Sequence, residues 1–474
     1  MFKNSSSQMI LLANAALAAL VSFVTSDTVQ ARSAKPAIIK HHTVAADFEL
    51  DQSAALFLEK TARISNAADC FPLHVSQIRQ IATFYQFCSE AAAAAEMDSV
   101  NITENFAVSD ELAPRFNFWR RIYSLYSKDS FVLHTAQYPE IVFEIADLSR
   151  IDSGDKTKSK LAQNFLKDRR RQYARVLISL HQNRRVDPAV MTPILTPTMR
   201  RIITLMRHID DPNKYIKAAN SIRIQRGQRD FIADGFAMAS RYLPAVEQEF
   251  VEQGVPLELS RLAFVESSFN LLAVSKVGAS GVFQIMEGTA RQFRMKIADQ
   301  YDERNDPIKA ARAAARLLRY NYATTGSWPL AITGYNHGAA GVMRAARESG
   351  HNDIEHLALK YSSRTFGFAS QNFYCEFLAV LATLKDGRKV FPNAKLEAPI
   401  HFRVIRIGNP QSIAEIRKIH KVSNEELAIF NRDLSRRFIR SNAILPRGYM
   451  VKIPDRSPAG TVAFSSFLSQ GTTP

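Results

Sequence analysis

The chain has 474 residues, of which 46% are hydrophobic and 22% are charged. This composition is typical of folded globular proteins and excludes a mainly disordered polypeptide, and the length predicts two to four domains. Lys and Arg number 61 against 45 Asp and Glu, which gives a formal net charge of +16. A surplus this large indicates polyanionic surroundings, for which nucleic acid, anionic lipid and a bacterial wall polymer are the candidates.

The first 31 residues have the layout of a secretory signal. Lys3 precedes an apolar stretch from Met9 to Val24, and the polar segment that follows ends at Ala31 with small-residue spacing. We therefore expect residues 1–31 to be a signal peptide and the protein to be exported to the periplasm or cell envelope. The apolar stretch is short for a membrane span, although an uncleaved anchor is an alternative that the sequence leaves open. Export makes nucleic acid the least expected of the three polyanions.

Residues 32–214 have a mostly helical pattern without a catalytic motif, and we predict a helical N-terminal region. Cys70 and Cys88 are close enough in sequence to pair in an oxidising compartment, but the sequence does not decide whether they do. Cys375 stands alone in a helical stretch, where we expect a small buried apolar residue. None of the three cysteines has the spacing of a metal site.

The stretch RLAFVESSFN places a carboxylate, Glu266, at the end of an apolar run. Leu259, Leu262 and Ala263 lie seven, four and three residues before it, so all four share one face of an α-helix. The carboxyl would then point into apolar surroundings, which disfavour its charged form and raise its pKa towards the range of a general acid. A glutamate that turns out into solvent at a helix end is the alternative.

The rest of residues 215–385 is also predicted to be helical. A tight turn with Gly278 and Gly281 could approach a ligand closely. A later helix is predicted to begin at Pro307 with Asp306 as its N-cap. Four basic residues of that helix share a face with no acidic partner among them, and we expect this face to be exposed: Lys309, Arg312, Arg316 and Arg319.

The periodicity changes in the C-terminal part of the chain. We expect residues 386–399 to be a linker, residues 400–454 to form a small α+β domain, and residues 455–474 to be a tail. The domain reads as a strand, two short helices and a closing strand, a βααβ unit whose helices have Ser412 and Ser423 as plausible caps. The predicted fold class of the whole chain is mainly α.

Three sequence blocks resemble those of a known family. ESSFN, GASGVFQIMEGTA and ITGYNHGAAGV follow one another between Glu266 and Val342. Together they resemble the soluble lytic transglycosylase (SLT) domain family, and they are most similar to its membrane-bound lytic murein transglycosylase D group. The βααβ unit resembles a LysM module. The resemblance spans residues 215–454 and implies a goose-lysozyme-like helical catalytic domain with a groove for N-acetylglucosamine and N-acetylmuramic acid (MurNAc) units.

Carried over by position, the resemblance implies roles for five residues. Glu266 would be the single catalytic acid, and Ser267 would help to position it. Gln284, Tyr335 and Asn336 would hold sugar in the groove and orient the glutamate. In the implied reaction the acid protonates the glycosidic oxygen and its carboxylate then deprotonates the C6 hydroxyl, which attacks C1. The product is 1,6-anhydro-MurNAc, and the scheme departs from the two-carboxylate mechanism of most glycosidases.

Three features depart from the family pattern. Glu287 replaces a proline, so it could be a second carboxylate near the groove or an acid favoured by a helix N-terminus. His337 replaces a small residue and could narrow a sugar subsite, titrate near pH 6.5 or simply be packed. Asn431 matches the loop asparagine of a LysM module, but the first loop, GNPQS, differs from the usual Gly-Asp-Thr. The C-terminal unit is therefore either a glycan-binding anchor or a packing appendage.

The leading hypothesis from the sequence is an exported peptidoglycan lytic transglycosylase with Glu266 as acid and then base. A hydrolytic muramidase on the same fold, which would need a second carboxylate such as Glu287, and a non-catalytic wall-binding scaffold are the alternatives. The expected partners are peptidoglycan strands, with association to the cell envelope and none to nucleic acid. No metal or organic cofactor is expected, because no cluster of His, Asp or Glu has ligand spacing.

Overall fold

The computed structural model of the protein describes residues 102–103, 105–150, 156–186 and 195–456. The predicted signal peptide, Cys70 and Cys88 lie outside the described residues, and so does the predicted tail of residues 455–474 except for Asp455 and Arg456. The described part is mainly helical, with three small antiparallel sheets. None of its helices combines the length and the apolar character needed to cross a membrane.

The described part of residues 32–214 contains strands as well as helices, which corrects the prediction of a helical region. In chain order the elements up to residue 226 are α1 Ala113–Ser124, β1 Ser130–Thr135, β2 Val142–Asp147, α2 Lys156–Gln182, α3 Pro197–Leu205, α4 Lys214–Asn220 and β3 Ile222–Arg226. The strands form one antiparallel sheet in the order β2-β1-β3. Almost every residue of β1 is buried, so its short apolar run lacks the alternation that distinguishes a strand from a buried helix.

Helix α1 ties this N-terminal part to the helices that follow it. The Trp119 indole donates a hydrogen bond to the Asn372 side chain at 2.9 Å. The buried Arg115 guanidinium donates to the carbonyls of Ala358 at 2.7 Å and Gln371 at 3.1 Å. Because these groups are desolvated, their hydrogen bonds fix α1 rigidly against the central helices.

The central helices form the largest part of the described structure. They are α5 Arg229–Glu252, α6 Leu262–Ser267, α7 Glu287–Gln292, α8 Pro307–Thr325, α9 Trp328–His337, α10 Ala339–Ser349, α11 Ile354–Leu359, α12 Phe368–Lys385 and α13 Gly387–Val390, with 3₁₀ turns at Leu257–Arg261 and Glu303–Asn305. The predicted start of α8 is confirmed, because the Asp306 carboxylate accepts hydrogen bonds from the amides of Ile308 and Lys309 at 3.1 Å each. Helix α12 is buried along most of its length.

The predicted order of strands and helices in the C-terminal unit is confirmed, with additions. Its elements are β4 Phe402–Arg406, β5 Gln411–Ser412, α14 Ile413–His420, α15 Asn424–Phe430, α16 Arg436–Arg440, β6 Ile444–Leu445 and β7 Met450–Pro454. Strand β4 pairs with β7 and β5 with β6, both antiparallel. Ser412 and Ser423 both cap their helices in complete capping boxes, as predicted. Helix α16 and the short β5–β6 pair were missed.

The predicted exposed basic face of α8 is wrong for Lys309, whereas Arg312 is exposed as predicted but has an acidic partner. The Lys309 ammonium lies 2.6 Å from an Asp433 carboxylate oxygen, and its side chain is only 18% exposed. The Arg312 guanidinium pairs with Glu249 at 2.7 Å. The acidic partners come from other elements, α5 and the C-terminal unit, so the pattern of α8 alone could not reveal them.

Residues 386–399, predicted to be a linker, pack along α5. The Phe391 ring is buried and lies 5.9 Å from the Phe236 ring. The Glu397 amide donates to the Ser240 hydroxyl at 2.7 Å. All the described residues belong to one compact unit, Ala94–Pro474. The C-terminal unit is therefore held against the central helices through its connection as well as through its ion pairs.

Candidate active site

A cleft of about 920 Å³ runs along the outer side of α6. Its walls combine every residue of the stretch Phe264 to Leu272 with residues from α1, from β3 and the turn after it, from α5, from α12 and from the turn after α15. These other residues are Trp119, Tyr123, Arg223, Gln225, Arg226, Gln228, Phe231, Asp234, Gly235, Met238, Phe368, Ala369, Glu376 and Arg432. The N-terminal part and the C-terminal unit thus complete a cleft whose floor is the stretch that contains Glu266.

Glu266 lies in the last turn of α6 and opens onto the cleft. The helix ends there because Ser268 and Phe269 both adopt left-handed φ values, 53° and 57°. Leu262 and Ala263 behind Glu266 are fully buried, which confirms the inward face predicted from the spacing. The Glu266 side chain itself is partly buried. Burial, with a smaller contribution from the charge of Glu376, raises the pKa of Glu266 to about 8.

Two other predicted site residues fix the segment that passes behind Glu266. The Ser267 hydroxyl lies 2.9 Å from the Val282 carbonyl and 3.1 Å from the Ala263 carbonyl, so it joins the end of α6 to this segment. The Tyr335 hydroxyl donates to the Phe283 carbonyl at 2.9 Å. Burial, followed by the nearby charge of Glu266, raises the Tyr335 pKa well above its usual value. Ser267 lines the cleft itself, whereas Tyr335 is not among the residues that line it.

The remaining two predicted site residues are not among those that line the cleft. The Gln284 amide donates to the carbonyls of Gly281 at 2.8 Å and Ala273 at 3.2 Å, which ties together its own loop. Asn336 is exposed near the end of α9. Their contacts with sugar therefore stay predictions.

The tight turn around Gly281 packs against protein rather than facing a ligand. Gly281 has a φ of +75°, and a β-carbon there would lie 1.8 Å from the carbonyl oxygen of Arg304. Gly278, with a φ of +90°, faces open space. The backbone at Gly281 is thus closely approached, but by the protein's own backbone at Arg304 and not by a ligand.

Glu376 is a site residue that the sequence analysis missed. It belongs to α12 and lines the same cleft as Glu266. Burial raises its pKa to about 8, against the opposing effects of the Arg223 charge and of a hydrogen bond with Tyr123. Its sequence signal was a lone acid in the apolar run FYCEFL, the same kind of signal that identified Glu266. No family block surrounds it.

For Glu287, His337 and Cys375 the structure agrees with the alternative that gives each residue a structural place rather than a role in the cleft. Glu287 is the first residue of α7 and is exposed, and its carboxylate pairs with Arg291 at 2.5 Å, which confirms a helix-start acid. His337 packs edge-to-face on Phe366 at 4.8 Å and is not among the cleft residues. Cys375 is fully buried, as predicted, and burial raises its pKa to about 12.

Among the described residues, no group of three or more His, Cys, Asp or Glu side chains is arranged to hold a metal ion.

The sequence similarities concentrate on the central helices. Residues 247–358 match the family model of the Transglycosylase SLT domain. This range includes Glu266, Gln284, Tyr335 and Asn336, whereas Glu376 lies beyond it. Helix α1 and strand β3, which line the cleft as well, also lie outside the matched range.

Curated relatives match over similar stretches. Membrane-bound lytic murein transglycosylase D of Escherichia coli (strain K12) is 25% identical over 207 residues, which cover 43% of this chain and 45% of the relative. A protein named for tributyltin chloride resistance in Alteromonas sp. (strain M-1) is 36% identical over 110 residues, 23% of this chain and 53% of that protein. The chain thus spans about half the length of these relatives or less.

A solved structure, the 70 kDa soluble lytic transglycosylase SLT70 from Escherichia coli, matches over 44% of this chain and 37% of its own. The sequence identity is 18% and the TM-score is 0.28. At that score the likeness is too weak to establish a common fold.

Proposed function

We propose that the protein is a peptidoglycan lytic transglycosylase that cleaves the β-1,4 bond between MurNAc and N-acetylglucosamine without water. The observation that carries the proposal is the Glu266 carboxyl, which opens onto the cleft within the matched SLT residues and has a pKa raised to about 8. At neutral pH this carboxyl holds its proton, as a general acid must.

The same raised pKa suits both halves of the reaction. Glu266 donates its proton to the glycosidic oxygen, the C1–O bond breaks, and the N-acetyl oxygen of MurNAc stabilises the cationic C1. The carboxylate left behind is a stronger base than an ordinary glutamate, because its charge is poorly solvated. It removes the proton of the C6 hydroxyl, whose oxygen bonds to C1. The anhydro ring closes and Glu266 is protonated again.

Two of the other carboxyls, Glu287 and Glu376, are poorly suited to activate water, whereas Asp234 also lines the cleft, so the products of the reaction decide between the proposed reaction and hydrolysis. A muramidase would need a second carboxylate to activate water. Glu287 is bound to Arg291 and is not among the cleft residues. Glu376 does line the cleft, but burial raises its pKa to about 8, so it is a poor base for water near neutral pH.

The cleft walls suit the two chemical parts of a glycan strand. The partly exposed aromatic rings of Phe231 and Phe368 offer apolar surface for sugar rings. Arg223 and Arg432 offer positive charge for the acidic peptide stems of peptidoglycan. Export through a signal at residues 1–31, the goose-lysozyme-like fold of residues 215–385 and a LysM-like, glycan-binding role of residues 400–454 belong to the same proposal.

The test is digestion of purified sacculi with the wild type and with Glu266→Gln, followed by mass spectrometry of the products. We expect anhydro-MurNAc ends from the wild type and a loss of at least about a thousandfold in rate from the variant, because the amide cannot transfer the proton. Glu287→Gln makes the same chemical change outside the cleft and should cleave normally. Reducing-end MurNAc from the wild type would replace the proposal with hydrolysis, and sacculi that stay intact would favour a binding scaffold.

A further inference from the structure

We propose that the C-terminal unit contains a binding pocket for the acidic peptide stem of peptidoglycan, beside the cleft in which the glycan is cleaved. The pocket lies between α15 and α16 and has a volume of about 290 Å³. The inference takes its substrate from the proposed function. It gives a role to a part of the chain that lies outside the matched SLT range of residues 247–358.

The pocket and the cleft are neighbours that share one residue. Arg432, in the turn after α15, lines both of them. The two spaces are therefore separated by little more than the width of one side chain. MurNAc is the sugar that carries the peptide stem, and the bond proposed to break is at its C1 carbon. The stem of a bound glycan thus begins inside the cleft, and the pocket lies next to it, past Arg432.

Contacts with the central part of the protein hold the pocket beside the cleft. The Tyr242 hydroxyl of α5 donates a hydrogen bond to the carbonyl of Ile429, a lining residue of the pocket, at 3.2 Å. The Ser435 amide, just before α16, donates to the Gln300 carbonyl at 3.2 Å. Helix α5 also supplies residues to the wall of the cleft. Because one helix contacts both spaces, the folded protein fixes their relative position.

The wall of the pocket carries positive charge that the protein itself does not neutralise. Arg432, Arg436 and Arg440 all line it, and the last two are four residues apart and so share one face of α16. Among the described residues, none of these three arginines forms an ion pair. Glu425 is the one acid in the lining, so the arginines outweigh it. Three unpaired guanidinium groups around one pocket favour a ligand with more than one carboxylate.

The other lining residues match the remaining parts of a peptide. The Arg432 Nε and Asn424 Oδ1 atoms are buried and have no hydrogen-bond partner among the described residues. The protein thus leaves one donor and one acceptor of the lining residues unused. Ala428, Ile429 and Ile439 add apolar surface. A peptide stem offers carboxylates, N–H groups and methyl groups to these three kinds of partner, whereas a bare anion such as phosphate offers only charge.

The test compares soluble, uncrosslinked peptidoglycan strands with the same strands freed of their stems by an amidase. The stripped strands keep a lactyl carboxylate on each MurNAc, so a general attraction to basic surfaces persists. For the double variant Arg436→Gln/Arg440→Gln we expect KM on stem-bearing strands to rise about tenfold with kcat nearly unchanged, because two exposed charge pairs are lost from binding. On stripped strands the double variant should match the wild type.

Arg437→Gln is the matched control. Arg437 is an exposed residue of the same helix that is not among those lining the pocket, and its substitution removes the same kind of charge. It should leave KM unchanged on both substrates. A KM that rises equally on both substrates in the double variant, or a rise of the same size in Arg437→Gln, would overturn the inference. Either result would mean that basic charge acts without recognition of the stem.

Peptide binding separates a failure of this inference from a failure of the proposed function. The probe is the stem peptide that the amidase releases, carrying a fluorescent label, and the protein is Glu266→Gln, so no cleavage is needed. We expect binding to weaken about tenfold when Arg436→Gln/Arg440→Gln is added, and to weaken similarly when the carboxyls of the peptide are amidated. Arg437→Gln should leave binding unchanged.

Binding of the peptide by a chain that cleaves nothing would support the pocket and reject the proposed reaction. Equal binding of the acidic and the amidated peptide would reject the pocket, whatever the wild type cleaves. Vesicles that contain phosphatidylglycerol supply negative charge without a peptide. If they bind through Arg436 and Arg440 while the peptide does not, the surface contacts a membrane and the inference is wrong.

Discussion

At the scale of single residues, the molecule keeps two acids where burial opposes their charge. Glu266 and Glu376 both have pKa values raised to about 8, chiefly by burial. An acid whose pKa is raised on folding binds its proton more tightly in the folded state. Ionisation above the ordinary glutamate range then favours the unfolded chain. The site is thus expected to lower stability, and this loss accompanies the proton that the proposed reaction needs.

This cost predicts that Glu266→Gln is more stable than the wild type, and only at higher pH. In the folded state Glu266 ionises near pH 8 instead of 4.5. The destabilisation that Glu266 causes therefore grows as the pH rises from 4.5 to 8. We expect a gain of about 1 to 3 kcal/mol in the free energy of unfolding at pH 8, after allowance for solvent in the cleft, and almost none at pH 4.5. Urea unfolding at both pH values measures it.

Glu287→Gln is the matched control for this prediction. It makes the same substitution at an exposed helix start, and it should follow the wild type across the pH range. A Glu266→Gln variant that gains nothing at pH 8, or gains equally at pH 4.5, would mean that the carboxyl is well solvated. The general-acid role would then lose its physical basis.

At the scale of elements, the stretch from Ala273 to Ile285 is held by contacts that pass behind the acid. Ser267 and Tyr335 bind its backbone at Val282 and Phe283. The Arg304 guanidinium donates to the carbonyl of Gly278 at 2.8 Å. The loop also makes backbone hydrogen bonds of its own, such as the reciprocal pair between Ser280 and Ile285. The contacts from outside fix its position against the rest of the protein, and one of them is the close packing of the turn against Arg304.

The two glycines of this turn should respond differently to alanine. Both have positive φ, so each substitution carries the strain of a left-handed conformation, about 1 to 2 kcal/mol. At Gly281 the new β-carbon would also meet the Arg304 carbonyl at 1.8 Å, which backbone movement alone can relieve. We expect Gly281→Ala to lower the free energy of unfolding by about 3 kcal/mol or more and Gly278→Ala by about 1. Equal losses would show that the contact with Arg304 is unimportant.

At the scale of the whole molecule, buried ion pairs join α8 to the C-terminal unit. The Lys452 ammonium lies 2.5 Å from an Asp306 carboxylate oxygen, with both side chains almost fully buried. Burial alone would raise the Asp306 pKa, but Lys452 and Lys309 together hold it below its usual value. Asp433 completes the group by accepting hydrogen bonds from Lys309 and from the Tyr449 hydroxyl. Charges buried in this way stabilise a contact only while every partner is present.

We therefore predict that Lys452→Met destabilises the central helices as well as the unit that contains Lys452. It leaves the Asp306 charge buried without its nearest partner, a loss of about 3 to 5 kcal/mol. The two tryptophans, Trp119 and Trp328, lie outside the C-terminal unit, so their fluorescence during urea unfolding reports on the helices alone. An unchanged tryptophan transition would mean that the unit is an independent appendage.

Two variants calibrate that experiment. Asp306→Asn keeps an acceptor for the start of α8 but removes its charge, so the double variant with Lys452→Met should recover part of the loss. Lys217→Met breaks an exposed ion pair with Asp211 and should lower the free energy of unfolding far less than Lys452→Met does. A similar loss in Lys217→Met and Lys452→Met would show that burial of the pair does not matter.

Sequence alone determined the features that arise from neighbours along the chain. The inward direction of Glu266, the Asp306 cap and the capping boxes at Ser412 and Ser423 follow from spacing and local hydrogen bonding, which act within one or two helical turns. The described central helices and the strand and helix order of the C-terminal unit followed from the same periodicities.

Only the tertiary structure decided which distant groups meet. Helix α8 gives no sign that Lys309 will pair with Asp433, and strand β1 is buried so completely that its pattern hides its strand character. Glu376 joins Glu266 in one cleft only because α6 and α12 both line it. The physical reason is common to these cases: charge interaction and desolvation depend on distance in space, and a linear pattern carries no record of what packs against it.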